Sequence, residues 1–127
     1  MNAFNIIYIV PRSAYILDLD LGKSDNYEMY VNEPSKVYLE VFECFGKVKV
    51  QAASSISAIE SKVYDVKSNS PPKFIGDHTI VNYERSSSGP LYISVAAIQG
   101  IDVLKTIKAL YMVIPHILPA NQVRRLV

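Results

Sequence analysis

The chain has no tryptophan, one cysteine, two histidines and five glycines in 127 residues. Each scarcity closes off a class of explanation. A lone cysteine, Cys44, excludes an internal disulfide. Between Glu43 and Phe45 it reads as a small buried hydrophobe, because a reactive thiol needs neighbouring cations or a helix N-terminus. Gly22, Gly46, Gly76, Gly89 and Gly100 are isolated turn residues, so no glycine-rich phosphate loop is present. His78 and His116 have no Cys, Asp or Glu at ligand spacing. No glycosylation sequon occurs, since Asn69-Ser70-Pro71 lacks the required third hydroxyl residue, and this weighs slightly against an extracellular setting.

Long apolar runs are missing too. Ile6–Pro11 and Leu110–Leu118 are the longest, and neither can span a bilayer. Met1-Asn2-Ala3-Phe4 lacks the basic start of a signal peptide. The formal net charge is +1, and Arg124-Arg125 is the only close basic pair. There is no field to draw in nucleic acid or an anionic membrane.

What is present favours strands. Half of the residues are apolar and a fifth are charged, the balance of a globular protein. Nine tyrosines accompany many valines and isoleucines, all good strand formers. Residues 1–127 are long enough for one domain with a real core. The pattern starts almost at once and runs to Arg125-Leu126-Val127 without a stop signal, as expected of a segment of a longer multidomain protein.

Alternation at period two marks the strands. Phe4–Val10 is a β-rich run closed by Pro11. Tyr15, Leu17, Leu19 and Leu21 share one face, against Ile16, Asp18 and Asp20. Gly22–Asn26 is turn chemistry, followed by Tyr27, Met29 and Val31 on one face. Val37, Leu39 and Val41, then Val48 and Val50, read as a central hairpin turning at Gly46. Ala52–Ser57 reads as a loop or the fading end of a strand, Ala58–Lys67 as a weak strand and Ser68–Lys73 as a stiff loop. Thr79–Glu84 and Leu91–Ile98 are strands joined by a turn at Arg85–Pro90. Ile101–Ile114 fits two patterns: a helix capped by Asp102, or a loop to about Leu104 and then a strand carrying Ile107, Ala109, Tyr111 and Val113 on one face. The β context favours the second. Pro115 and Pro119 then bracket an extended exit. The expected fold is all-β, an antiparallel β-sandwich of about eight strands, jelly-roll or Ig-like.

Chemistry is sparse. Asp18 and Asp20 point the same way from a strand, and Asp25 and Asn26 across the turn would add two oxygens. Calcium wants six to eight oxygens, and no dense acidic loop follows. A triad can be composed from Ser86–Ser88, His78 and Asp77, but no nucleophile elbow supports it. Tyr38, Tyr64 and Tyr92 fall opposite the best core faces, where aromatic rings stack on sugars or anchor a protein partner. Cross-strand pairing within the sheet is the alternative role for these rings.

Tyr27-Glu28-Met29-Tyr30-Val31, Val37–Val41, Cys44-Phe45-Gly46-Lys47-Val48 and Gly89-Pro90-Leu91-Tyr92-Ile93-Ser94-Val95 come in a suggestive order, closed by a strand with Tyr111. Over residues 14–114 the chain resembles the pre-peptidase C-terminal type of β-sandwich and related fibronectin-III-like modules. The resemblance implies a non-catalytic appendage that binds carbohydrate or protein, or spaces neighbouring domains. Lys47 stands where that family often has an aspartate, so a calcium site at that turn is not supported. The expectation is a non-enzymatic module of a surface or secreted protein, acting in adhesion, spacing or binding, with neither cofactor nor metal. Its partners would be protein or carbohydrate, with self-assembly as an option, and not nucleic acid or an inserted membrane. One alternative is a structural subunit that polymerises through the Phe4–Val10 and Leu110–Leu118 strands, and a second is a small metal-dependent hydrolase.

Overall fold

The alternating apolar residues decide which strand faces turn inward, and strand pairing decides which sheet each strand joins. The computed structural model describes residues 5–66, 73–75 and 78–119. The strands are β1 (Ile7–Tyr8), β2 (Tyr15–Asp20), β3 (Ser24–Val31), β4 (Ser35–Phe45), β5 (Lys47–Ala53), β6 (Lys73–Ile75), β7 (His78–Arg85), β8 (Gly89–Gln99), β9 (Ile101–Val103) and β10 (Thr106–Pro119). One short helix, α1 (Ile56–Glu60), follows β5. A four-stranded sheet runs β1-β3-β8-β5. A six-stranded sheet runs β2-β10-β4-β7-β6, with β9 added to β10. Every pairing is antiparallel except β1 with β3. This is the expected all-β sandwich, enlarged by the three-residue strands β6 and β9.

The inner faces are those the alternation named, except at their ends, where Leu21 and Ile107 are exposed. Tyr27, Met29 and Val31 of β3, Val37, Leu39 and Val41 of β4, Leu91, Ile93, Val95 and Ala97 of β8, and Ala109, Tyr111 and Val113 of β10 are all buried. Each fully buried aliphatic side chain contributes about 1.5–3 kcal/mol. The two tyrosines carry hydroxyls into the core and satisfy them. The Tyr27 and Tyr111 hydroxyls hydrogen-bond to each other across the sheets, and Tyr111 donates to Asp25 Oδ2 at 2.8 Å.

Several expectations are corrected. Lys36–Gln51 is not a hairpin, because β4 and β5 lie in different sheets. The chain changes sheet at Gly46 (φ 73°), where a Cβ would sit 2.5 Å from the Gln99 carbonyl oxygen and 2.9 Å from Ala109 Cα. The strand does fade out within Ala52–Ser57, but Ala58–Lys67 is not a strand over its described residues, 58–66. β5 runs on to Ala53, and Ser55 then caps α1 by accepting from the Ala58 N–H. Residues Asp25 and Asn26 lie in β3, not in a turn. Cys44 is exposed, not buried. Of the expected Ser68–Lys73 loop, positions 68–72 lie outside the described residues.

The Ile101–Ile114 ambiguity resolves to strands. Residues 101–103 are already paired as β9, not loop. Pro115 does not end β10, which continues to Pro119 beside β4. It fits because its backbone faces away from β4, beyond the last β2 pair, where Arg12 N–H bonds the Pro115 carbonyl at 2.8 Å. Of Leu110–Leu118, residues 110–113 are enclosed between β2 and β4, which leaves only the stretch past β2 as a free edge, and prolines 115 and 119 blunt it.

Candidate functional site

The strand order leaves the sandwich open along one side. β5 is the edge of the four-stranded sheet, and β7 lies near the edge of the other. Between them is a cleft of about 570 Å³, within the range of small-ligand and side-chain sites. Its back wall is Val41, Val81 and Tyr83 from the six-stranded sheet, and its side wall is Val48 and Val50 from β5. The segment after α1 brings Tyr64 and Val66 to it, with Val66 N–H bonded to the Ala52 carbonyl at 3.2 Å. Glu43, Lys47, Lys49, Gln51 and Thr79 supply the polar groups.

The polar groups of the cleft are partly committed. Glu43 Oε2 accepts the Val48 N–H at 2.8 Å. Tyr83 donates to the Val50 carbonyl at 3.1 Å, stitching the two sheets, and burial pushes its hydroxyl up to about 12. With the Ala52 carbonyl taken by Val66, three groups on the outer edge of β5 are occupied. An added strand would meet an edge already plugged. What remains open is an aliphatic trough with lysines at its rim.

The three tyrosines expected on one face do not meet. Tyr38 lies on the outer side of the six-stranded sheet, opposite buried Val37 and Leu39. Tyr92 is 8% exposed, so it is corrected from surface to interior. α1 covers it, and Ala53, Ile59 and Tyr92 form a second small core against which Ile6, Ala58 and Tyr64 pack. Tyr64 alone keeps a place in a site, since it also lines the cleft.

The candidate acids and histidines separate. Asp18 and Asp20 hold Lys108 Nζ at 3.4 and 2.7 Å, occupying the carboxylates with an ammonium. Asp25 does not join them. It turns to Tyr111, and burial raises its pKa, with the Tyr111 hydrogen bond opposing and Asp18 adding to the rise. Among the described residues, no group of three or more His, Cys, Asp or Glu side chains is placed to hold a metal. His116 Nε2 lies 2.5 Å from Glu40 Oε1 on the outer sheet face, a pairing hidden by 76 residues of separation. It follows from the register, which sets Glu40 opposite Ile114 and His116 opposite Tyr38. The Ser86–Ser88 triad is not assembled. Those serines follow one end of β7 and His78 begins the other, roughly 20 Å away at 3.3 Å per residue. Asp77 lies outside the described residues. No described helix is long and apolar enough to cross a membrane.

Sequence reasoning missed the cleft because it depends on β4 and β5 parting into two sheets. The alternation of Val48 and Val50 with Lys47 and Lys49 was visible, but not what it faced.

No family model matches the chain, and no curated protein matches it. Among solved structures it is similar to the pre-peptidase C-terminal domain of a collagenase from Bacillus anthracis. The identity is 15%, the TM-score is 0.60, and the match covers 91% of this chain and 98% of the other. The fold is thus the one the resemblance implied.

Proposed function

We propose that the chain is a non-catalytic binding module of a secreted or surface protein, and that the β5–β7 cleft receives apolar side chains of a protein partner. The cleft carries this reading. Its valine walls favour aliphatic groups over the hydroxyl-rich edges of a sugar, and its two tyrosines are walls, not an exposed stacking platform. Lys47 and Lys49 at the rim favour acidic residues flanking the inserted side chains. The likeness to a collagenase domain supports the extracellular setting and the appendage role.

Calorimetric titration with an acetylated hexapeptide alternating leucine and glutamate tests the proposal. Binding should weaken about tenfold in Tyr64→Ala, the loss of one anchor worth about 1.4 kcal/mol, and should weaken in Lys49→Glu. Equal binding by both variants, or none by the intact chain, would count against the cleft. Saturable binding of a hexameric oligosaccharide instead would favour a carbohydrate ligand.

A further inference from the structure

Leu104 is the most exposed large apolar residue described, at 95%. It sits at the tip of the β9–β10 hairpin, where Val103 pairs with Thr106. Leu104 and Lys105 both have left-handed backbone, φ 51° and 72°. Such turns favour Asn-Gly, so a leucine there accepts strain as well as full contact with water. The tip is held in shape, because Asp102 Oδ1 accepts the Lys105 N–H at 2.8 Å. Behind it, the same end of the sandwich gathers more aliphatic surface. Ile107 accepts a backbone bond from Leu21, Ile101 pairs with Lys108, and Ile98 lies one residue before the Gln99–Lys47 pair. Leu21, Ile98, Ile101 and Ile107 are 41–54% exposed.

From this arrangement we infer that the β9–β10 end docks shallowly on a lipid bilayer surface, with Leu104 entering the headgroup–acyl boundary. The exposed large apolar residues at this end are all leucine or isoleucine, whereas protein hot spots favour Trp, Tyr and Arg and under-represent Leu. Lys23 and Lys105 lie in connections at this end and Lys47 opens β5 opposite Gln99, where their stems can lie along the membrane while the ammonium groups reach phosphates. The acids at this end are engaged: Asp18 and Asp20 with Lys108, Asp102 with its own turn. Charge is nearly balanced, so apolar burial dominates. Neither a membrane span nor capture by charge is involved; Lys47 and Ile98 also line the cleft, whereas Leu104, which carries the inference, does not.

The absence of tryptophan makes the test direct. Leu104→Trp places a single reporter at the tip. With phosphatidylcholine vesicles its emission should shift to the blue and the protein should cosediment. A fifth of phosphatidylserine should change the partition only severalfold. Leu104→Ser should lower the wild-type partition by about tenfold to a hundredfold, the worth of one buried leucine. No blue shift and no cosedimentation would overturn the proposal, as would partition unchanged by Leu104→Ser. Concentration-dependent dimers in sedimentation velocity that Leu104→Ser dissolves would assign the tip to a protein contact instead.

Discussion

Gly46→Ala should be among the most damaging single-methyl additions to this chain. Two separate costs meet at the residue. Its φ of 73° is disfavoured for any residue with a Cβ, by roughly 1–2 kcal/mol. The new Cβ would also press on the Gln99 carbonyl oxygen at 2.5 Å and on Ala109 Cβ and Cα at 2.8 and 2.9 Å. None of these is the far end of a flexible side chain, so backbone must move, and such overpacking costs about 1–3 kcal/mol. The combined loss should be about 2–5 kcal/mol, read by urea denaturation as a midpoint lowered by one to a few molar. Gly22→Ala is the matched control. Its φ is 83°, but nothing lies within 4 Å of the added methyl, so it should lose only the backbone part, about 1–2 kcal/mol. If the two variants lose equal stability, the crossover at Gly46 is not the tight sheet-changing corner described above.

Tyr111→Phe keeps the ring but strands the Tyr27 hydroxyl and the Asp25 carboxylate; thermal or urea unfolding should show a loss of about 1–3 kcal/mol. Tyr83 has a folded pKa of about 12, so stability should fall as pH rises from about 10, where the unfolded tyrosine ionises first. Tyr83→Phe should flatten that alkaline decline in a series of urea midpoints, and an unchanged slope would refute the assignment. Asp25 has its folded pKa raised by burial, so the native state holds its proton longer and stability falls as pH rises through and above about 4. Asp25→Asn, still able to accept from Tyr111, should remove that fall and be stabilising near pH 7.

The inward faces of the sandwich were legible because burial on one side of a strand imposes period two. Val37, Leu39 and Val41 were read from that rule alone and are buried; the set around Tyr111 also needed its β context, and of it Ala109, Tyr111 and Val113 are buried while Ile107 is exposed. Which sheet a strand joins leaves no such mark. Val41 and Val48 alternate identically whether Gly46 turns a hairpin or carries the chain across the core, so the cleft between β5 and β7 was invisible. α1 spans five residues, too few for a helical period to show against the serines around it. Tyr92 is on the outward register of β8 as expected, but a helix that could not be foreseen covers it. The Leu104-Lys105 turn carries neither Asn nor Gly, so the β9–β10 hairpin gave no turn signal. The Glu40–His116 pair is a product of register between strands distant in sequence.

The most direct test of the binding role is an amide NMR titration of the isotope-labelled chain with the leucine–glutamate hexapeptide. Saturable shifts should gather on Val48–Gln51, Tyr64, Val66, Val81–Tyr83 and Ile98, the residues around the cleft, and leave Tyr38 and His116 on the outer sheet face unmoved. Shifts confined to that outer face, or no saturable shift at millimolar peptide, would contradict the assignment of the cleft as the binding site.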